Sequence, residues 1–270
     1  MSRRRGGNCP NSLEVMQQLV DLTQSKLSLD LICVLPERES MSTRFITQTL
    51  GSDVNCSCCI YRQHLVDPAS CYVFKSRETG SRTIVNYNEL PEMTFDEFKS
   101  SVEKLGSIED TCFHFEIKPS ALISVELENP HRLGLENLAA EADFVFYAKS
   151  WAQAFGYSSM EKCLEAQITV LPKAKYLCCT WGDKGAALLT RPENACISMP
   201  ALAIPNAEVV DPIGAGDTFV AGMLFGILCY RDDWDQTRKL QFATELASLK
   251  VRQEGFQGLG SVVGHRIERR

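Results

Sequence analysis

The residues with the clearest chemical potential lie in one run, Asp211-Pro212-Ile213-Gly214-Ala215-Gly216-Asp217-Thr218-Phe219. Beyond it, Phe219, Val220, Met223, Leu224, Ile227 and Leu228 form one apolar helical stripe, with Ala221, Gly222 and Gly226 small enough for close packing. With Ala207 to Val210 leading in as a strand, the run predicts strand, glycine turn and helix. Such a turn leaves the N–H groups of Gly214, Ala215 and Gly216 without intrahelical acceptors at the positive end of the helix dipole, which suits a phosphate or a developing anion. Asp217 stands beside that cradle. A carboxylate next to an anion hole fits phosphoryl transfer, in which a base deprotonates an attacking hydroxyl while backbone dipoles hold the transferred charge. The plain alternative is a tight glycine turn with an acidic helix start and no chemistry.

A second candidate lies near the N-terminus, where a Gly6-Gly7-Asn8 turn precedes Ser12, a good helix cap, and Leu13, Met16, Leu19 and Val20 at helical spacing. A glycine turn feeding a helix invites a ligand. Other signatures are absent or weak. No GxxxxGK(S/T) loop occurs, and Gly255-Phe256-Gln257-Gly258-Leu259-Gly260 has the wrong spacing for a dinucleotide fingerprint. Cys56, Cys58 and Cys59 lack the paired CxxC spacing of a zinc site, and Asn55-Cys56-Ser57 is a glycosylation sequon only in a secreted protein. His114, on an apolar strand, reads as a core histidine.

The elements that must position these residues follow from periodicity. Asp30 to Leu35 is an apolar run of strand length, and Thr43 to Leu50 has helical spacing. From Ser70 to Tyr87 the pattern alternates around Thr79-Gly80, which predicts a β-hairpin. Thr111 to Phe115, Ala121 to Leu127, Asp143 to Tyr147 and Tyr176 to Trp181 read as strands, and their alternation with helical stretches predicts a doubly wound, mostly parallel sheet. One junction resists that pattern. Only Glu116 to Ser120 separates two of the strands, whereas parallel neighbours need a crossover of about a dozen residues. The two pair antiparallel, run on as one bent strand, or have lost a crossover helix.

A chain of 270 residues with a net charge of −6 and ordinary composition suits one large α/β domain. Disordered, collagen-like and coiled-coil classes are excluded, and nothing suggests a nucleic-acid binder. The longest apolar stretch, Phe219 to Tyr230, is too short and too glycine-interrupted for a membrane span, and no apolar segment follows the N-terminal arginines as in a secretory signal. The cytoplasm is the expected compartment. Twelve cysteines read as reduced, mostly buried thiols.

Together these segments resemble the PfkB/ribokinase family of carbohydrate kinases, and most of all its ketohexokinase-like branch. The Asp211–Phe219 run resembles the family's C-terminal signature and Arg5-Gly6-Gly7-Asn8-Cys9-Pro10-Asn11-Ser12 its N-terminal one. Gly80-Ser81-Arg82-Thr83-Ile84, Phe113-His114-Phe115-Glu116, Ser124-Val125-Glu126 and Trp181-Gly182-Asp183-Lys184-Gly185-Ala186 resemble ketohexokinase segments in the same order. The resemblance implies a single ribokinase-like three-layer α/β/α domain over 1–270 with a small β lid, the hairpin at about 70–88. It implies ATP-dependent phosphorylation of a sugar hydroxyl, with Asp217 as base and Gly214, Ala215 and Gly216 as anion hole. Gly7, Asn8, Asn11 and Asp217 would hold the sugar; the alternative for the asparagines is turn shaping and helix capping. Arg82, Gly182, Asp183, Lys184, Gly185, Gly255 and Gly258 would lie on the nucleotide side, against a solvated hairpin arginine and ordinary turn glycines. Mg²⁺ would come with ATP, held through phosphates and water and no dedicated protein ligand. A homodimer through the lid, and an acceptor that is a nucleoside or another small alcohol, are further expectations of this kind.

Departures from the family pattern bear on activity. The family places a strand and hairpin before its N-terminal signature, where this sequence has only seven residues ahead of Asn8, and a helix where Glu116 to Ser120 lies. Both imply lost segments and, as an alternative function, a nucleotide-binding remnant impaired in catalysis. Pro212 stands where the family usually has threonine, and Ala148-Lys149-Ser150 carries no NxxE metal motif, a motif that ketohexokinase-like chains also lack.

Overall fold

The computed structural model describes residues 3–75, 82–106, 111–114, 122–132 and 134–267. They cluster into two compact units, one of Met1–Leu13 with Ser28–Ser107 and one of Glu14–Leu27 with Ile108–Arg270. No helix among the described residues is long and apolar enough to cross a membrane.

The first unit contains the start of α1 (Asn8–Thr23), whose later turns count with the second. This helix begins ahead of Ser12, which is buried inside it and not at its cap. Pro10 permits the earlier start because first-turn N–H groups have no intrahelical acceptor to lose. The Asn11 N–H donates to the Gly7 carbonyl at 2.9 Å, and Gly7, with φ of 101°, takes a conformation costly for any other residue.

The rest of this unit comprises β1 (Leu29–Asp30), β2 (Val34–Leu35), α2 (Met41–Leu50), β3 (Val54–Asn55), β4 (Ile60–Tyr61), β5 (Ser70–Lys75), β6 (Arg82–Tyr87) and α3 (Phe95–Leu105). The single strand expected over 30–35 is split into two short ones, because β1 pairs with β3 while β2 pairs with β4. The expected hairpin forms, antiparallel from Ser70↔Tyr87 to Lys75↔Arg82; its Thr79-Gly80 turn lies outside the described residues. α3 starts at a capping box between Thr94 and Glu97, whose carboxylate is also gripped by the Arg62 guanidinium.

The second unit is built on β7 (Cys112–His114), β8 (Leu122–Leu127), α4 (Leu135–Ala139), β9 (Phe144–Tyr147), α5 (Lys149–Ala154), α6 (Met160–Val170), β10 (Tyr176–Thr180), β11 (Ala186–Thr190), β12 (Ala195–Met199), α7 (Ala215–Cys229), α8 (Gln236–Lys250) and α9 (Leu259–Ile267). One sheet runs in the order β12-β11-β10-β9-β8-β7. Its pairs from β7 to β10 are parallel, and β11 and β12 add an antiparallel edge. That edge is absent from the sequence reading because Ala186-Ala187-Leu188-Leu189-Thr190 lacks the β-branched alternation of a strand.

Alternation divides the sheet's two faces. Val125, Leu127, Val145, Tyr147, Leu177 and Cys179 pack on α4, α5 and α6 through Leu135, Trp151 and Leu164. On the opposite face the Phe146 ring meets Phe219 of α7 edge-on at 6.4 Å, and α8 lies against β11 and β12. The result is helix, sheet, helix. α7 and α8 approach closely: a Cβ on Gly222 would stand 2.8 Å from the Ala243 Cα, and one on Gly226 2.9 Å from the Lys239 side chain.

β7 and β8 pair in parallel, Cys112↔Leu122 to His114↔Ser124, so neither the antiparallel pair nor the single bent strand occurs. Their connection, 115–121, lies outside the described residues together with the expected strand ends Phe115 and Ala121, Glu116 and the Glu116 to Ser120 gap. All twelve cysteines are free, but only five are buried, and Cys71 and Cys196 are exposed, fewer buried thiols than expected.

Candidate active site

The run Asp211–Phe219 ends in the predicted helix, but no strand leads into it. Asn206–Glu208 form a short 3-10 turn, and Val209 and Val210 belong to no ladder. The Val210 and Asp211 N–H groups instead both donate to the Val251 carbonyl, at 2.8 and 3.0 Å. A single carbonyl replaces the neighbouring strand that the apolar pair suggested.

Gly214 turns the chain with φ of 80° and caps α7. Any side chain there would collide with Phe256, whose ring edge lies 2.3 Å from the position of the missing Cβ. The Gly214 carbonyl accepts from the Thr218 N–H at 2.9 Å and from its hydroxyl at 2.7 Å. The Ala215 N–H is turned back to the Pro212 carbonyl at 3.2 Å, so the three-amide cradle is reduced: the Ala215 hydrogen is spent in closing the loop. The Gly214 and Gly216 N–H groups donate to no acceptor among the described residues. Two backbone donors at the positive end of a largely buried helix are what an anion needs.

Asp217 is 7% exposed, and its Oδ2 lies 3.6 Å from the Cβ position of Gly214, so the carboxylate folds back over the turn. Opposite it, the Glu126 carboxylate of β8 comes within 3.9 Å of the Cβ position of Gly216. Glu126 stands next to the carboxyl end of β8, and the Gly182–Lys184 turn leaves the carboxyl end of β10, parallel to β8 and two strands away across β9. Open α/β sheets bind their ligands along this edge. Gly185, with φ of 95°, has no room for a side chain because a Cβ would meet the Met199 carbonyl at 2.0 Å. Gly255 and Gly258, with φ of 67° and 80°, shape the turn between α8 and α9 that carries Phe256 onto Gly214.

The remaining candidates Gly7, Asn8, Asn11 and Arg82 belong to the first unit, and His114 to the second. Gly7 and Asn8 form the start of α1, Asn8 exposed; Asn11 is buried and its amide oxygen accepts from the Arg5 guanidinium at 3.5 Å. Arg82 opens β6, and its side chain lies outside the described residues. His114 faces the Ser124 hydroxyl across the strand pair at 3.0 Å, and burial pushes its pKa down to about 4. It is half-buried at the end of β7 with its ring edge-on to Phe146 at 6.4 Å, so the expectation of a core histidine is met only in part.

Two residues that complete the site were not among the sequence candidates. Phe256 closes the Gly214 turn, and Lys250, fully buried, donates to the Asp211 carbonyl at 2.9 Å. Lys239, Ala243, Leu246 and Lys250 are all buried on one face of α8, and that helical spacing is the signal that marks both lysines as interior.

A family model described as "pfkB family carbohydrate kinase" matches residues 120–260, more than half of the chain. The chain belongs to the pfkB family of carbohydrate kinases. It is similar to ketohexokinase from Mus musculus, 26% identical over 281 residues that cover 95% of this chain and 87% of the relative. Among solved structures it is similar to ribokinase from Giardia lamblia, with a TM-score of 0.72, 13% identity and coverage of 97% and 89% of the two chains. Fructokinase from Xylella fastidiosa, solved with bound ATP, gives a TM-score of 0.69 at 17% identity, covering 97% and 91%. These likenesses establish the ribokinase-like three-layer fold for this pfkB-family kinase.

Proposed function

We propose that this pfkB-family kinase phosphorylates a sugar hydroxyl with ATP, with Asp217 as the base. The observation that carries the reading is the Asp217 carboxylate folded over a turn whose Gly214 and Gly216 N–H groups have no acceptor among the described residues. The acceptor hydroxyl oxygen bonds to the γ-phosphorus as the bond from that phosphorus to the β–γ bridging oxygen breaks. Its proton passes to Asp217, ADP leaves, and the two amides hold the charge on the phosphoryl oxygens as it moves. The turns at Gly182–Gly185 and Gly255–Gly258 serve the nucleotide, and the positive φ at Gly182, Gly185, Gly255 and Gly258 supports a close backbone approach to phosphate or base. Arg82 serves the phosphates as a guanidinium, and Gly7, Asn8 and Asn11 serve the sugar hydroxyls. Mg²⁺ would come with the nucleotide, with no residue of this chain assigned to hold it, and would supply neutralisation of the phosphate charge.

The hairpin β5–β6 is read as the lid and as a dimer-forming element, because Tyr72, Phe74, Val85 and Tyr87 share one exposed face. Free thiols throughout are in keeping with action in the reducing cytoplasm.

Coupled ADP release over a panel of ketoses, aldoses and nucleosides tests the reading. Wild type is expected to turn over at least one sugar, and Asp217→Ala to lose about 10²- to 10⁴-fold in kcat with its fold intact. Turnover no faster than background ATPase for every acceptor would overturn it. A second reading, a nucleotide binder impaired in catalysis, is favoured by the short connection 115–121 between β7 and β8. It requires thermal stabilisation by ATP and none by any sugar.

A further inference from the structure

Lys250 has an ammonium with no exposure to water, a costly placement unless the charge is matched. Its Nζ donates to the Asp211 carbonyl at 2.9 Å and to the Gln253 carbonyl at 3.4 Å, and stands 3.5 Å from the Asp211 carboxylate. It also lies 5.3 Å from the centroid of the Phe256 ring, within cation–π reach. One cation thus touches both stretches of chain that make the Gly214 turn. On one side, the other oxygen of Asp211 accepts from the Ile213 N–H at 3.1 Å, directly ahead of Gly214. On the other, Phe256 presses on Gly214 itself. Gln18 of α1 holds that second stretch from behind, donating to the Phe256 carbonyl at 2.9 Å and accepting from the Gly260 N–H at 3.2 Å.

A leucine or methionine would fill this space without the desolvation cost, so packing alone does not account for the charge. An ammonium does what an alkyl group cannot: it binds several oxygens on separate segments at once and fixes the distance between them. We propose that Lys250 is a positioning residue for phosphoryl transfer. It locks the 211–214 turn to the 253–256 segment, so that the Gly214 and Gly216 amides stay aimed at one point. The inference rests on the kinase reading above and assigns to that site the element that keeps it preorganised.

Two variants test it, Lys250→Met and the doubly neutral Asp211→Asn/Lys250→Met. The double variant removes both buried charges, so it keeps its fold where the single one loses stability to an unmatched carboxylate. In both, amide hydrogen exchange at Ile213 and Ala215, the two hydrogen-bonded amides of the turn, is expected to rise about tenfold or more while the body of α7 stays protected. The double variant is expected to recover stability in urea yet keep a kcat deficit of about 100-fold, with the KM for ATP within about threefold of wild type. A purely structural pair would show kcat recovering together with stability, and that result overturns the proposal. Unchanged exchange at Ile213 and Ala215 overturns it as well. A wild type that turns over no acceptor sinks the kinase reading instead, and the exchange measurement then decides by itself whether Lys250 holds the turn.

Discussion

Gly214 is glycine for two independent reasons: its φ of 80° and the Phe256 ring 2.3 Å from where a Cβ would sit. The first is legible in the sequence as a glycine turn before a helix. The second is not, because Phe256 is distant along the chain and reaches Gly214 only through the turn after α8. Asp217 is legible for the opposite reason: its relation to the turn is set by adjacent residues and helix geometry. His114 carries a prediction at this scale. Its folded pKa, about 4, lies below the ordinary histidine value of 6.5, so between these values the unfolded chain binds the extra proton. Stability contributed by the neutral ring is whole above pH 6.5 and is lost as pH falls toward 4. Urea unfolding of wild type and His114→Asn across that window is expected to give a smaller decline in the variant, and equal slopes would contradict the assignment.

Among elements, α7 shows how far a hydrophobic pattern reaches. The apolar stripe predicts the helix, and its small residues predict close packing; the structure adds that every residue from Asp217 to Ile227 is buried, between the sheet and α8. A Cβ at Gly222 would stand 2.8 Å from backbone of α8, which has no flexible end to move. Gly222→Ala gains about 1 kcal/mol of helix propensity and loses about 1–3 kcal/mol to overpacking. The net expectation is a loss of about 1 kcal/mol in urea unfolding, and a stabilised variant would mean that α8 can yield. The element before α7 shows the limit of the same pattern. Val209 and Val210 look like strand residues, yet strand formation depends on a partner edge, and here the partner is the single carbonyl of Val251. β11 and β12 fail in the other direction, since pairing of β11 with β10 and of β12 with β11 makes strands of residues whose own preferences are weak.

For the whole molecule, the hairpin face formed by Tyr72, Phe74, Val85 and Tyr87 predicts association. Light scattering on a size-exclusion column is expected to give a dimer for wild type and a monomer for Tyr72→Ser/Phe74→Ser, with unchanged thermal stability of the monomer. A monomeric wild type would remove the hairpin from that role. The sequence by itself determined the class of fold, the family resemblance, the helix behind the glycine turn, the hairpin, and Asp217 beside the amides of that turn. Each depends on residues close together in the chain, where periodicity and turn chemistry act directly. Only the tertiary structure decided the antiparallel edge, the parallel pairing of β7 with β8, the spending of the Ala215 amide, and the hold of Lys250 and Phe256 on the turn. Those depend on which distant segments meet, and burial of a charge or a ring against a glycine is a property of the meeting, not of either segment alone.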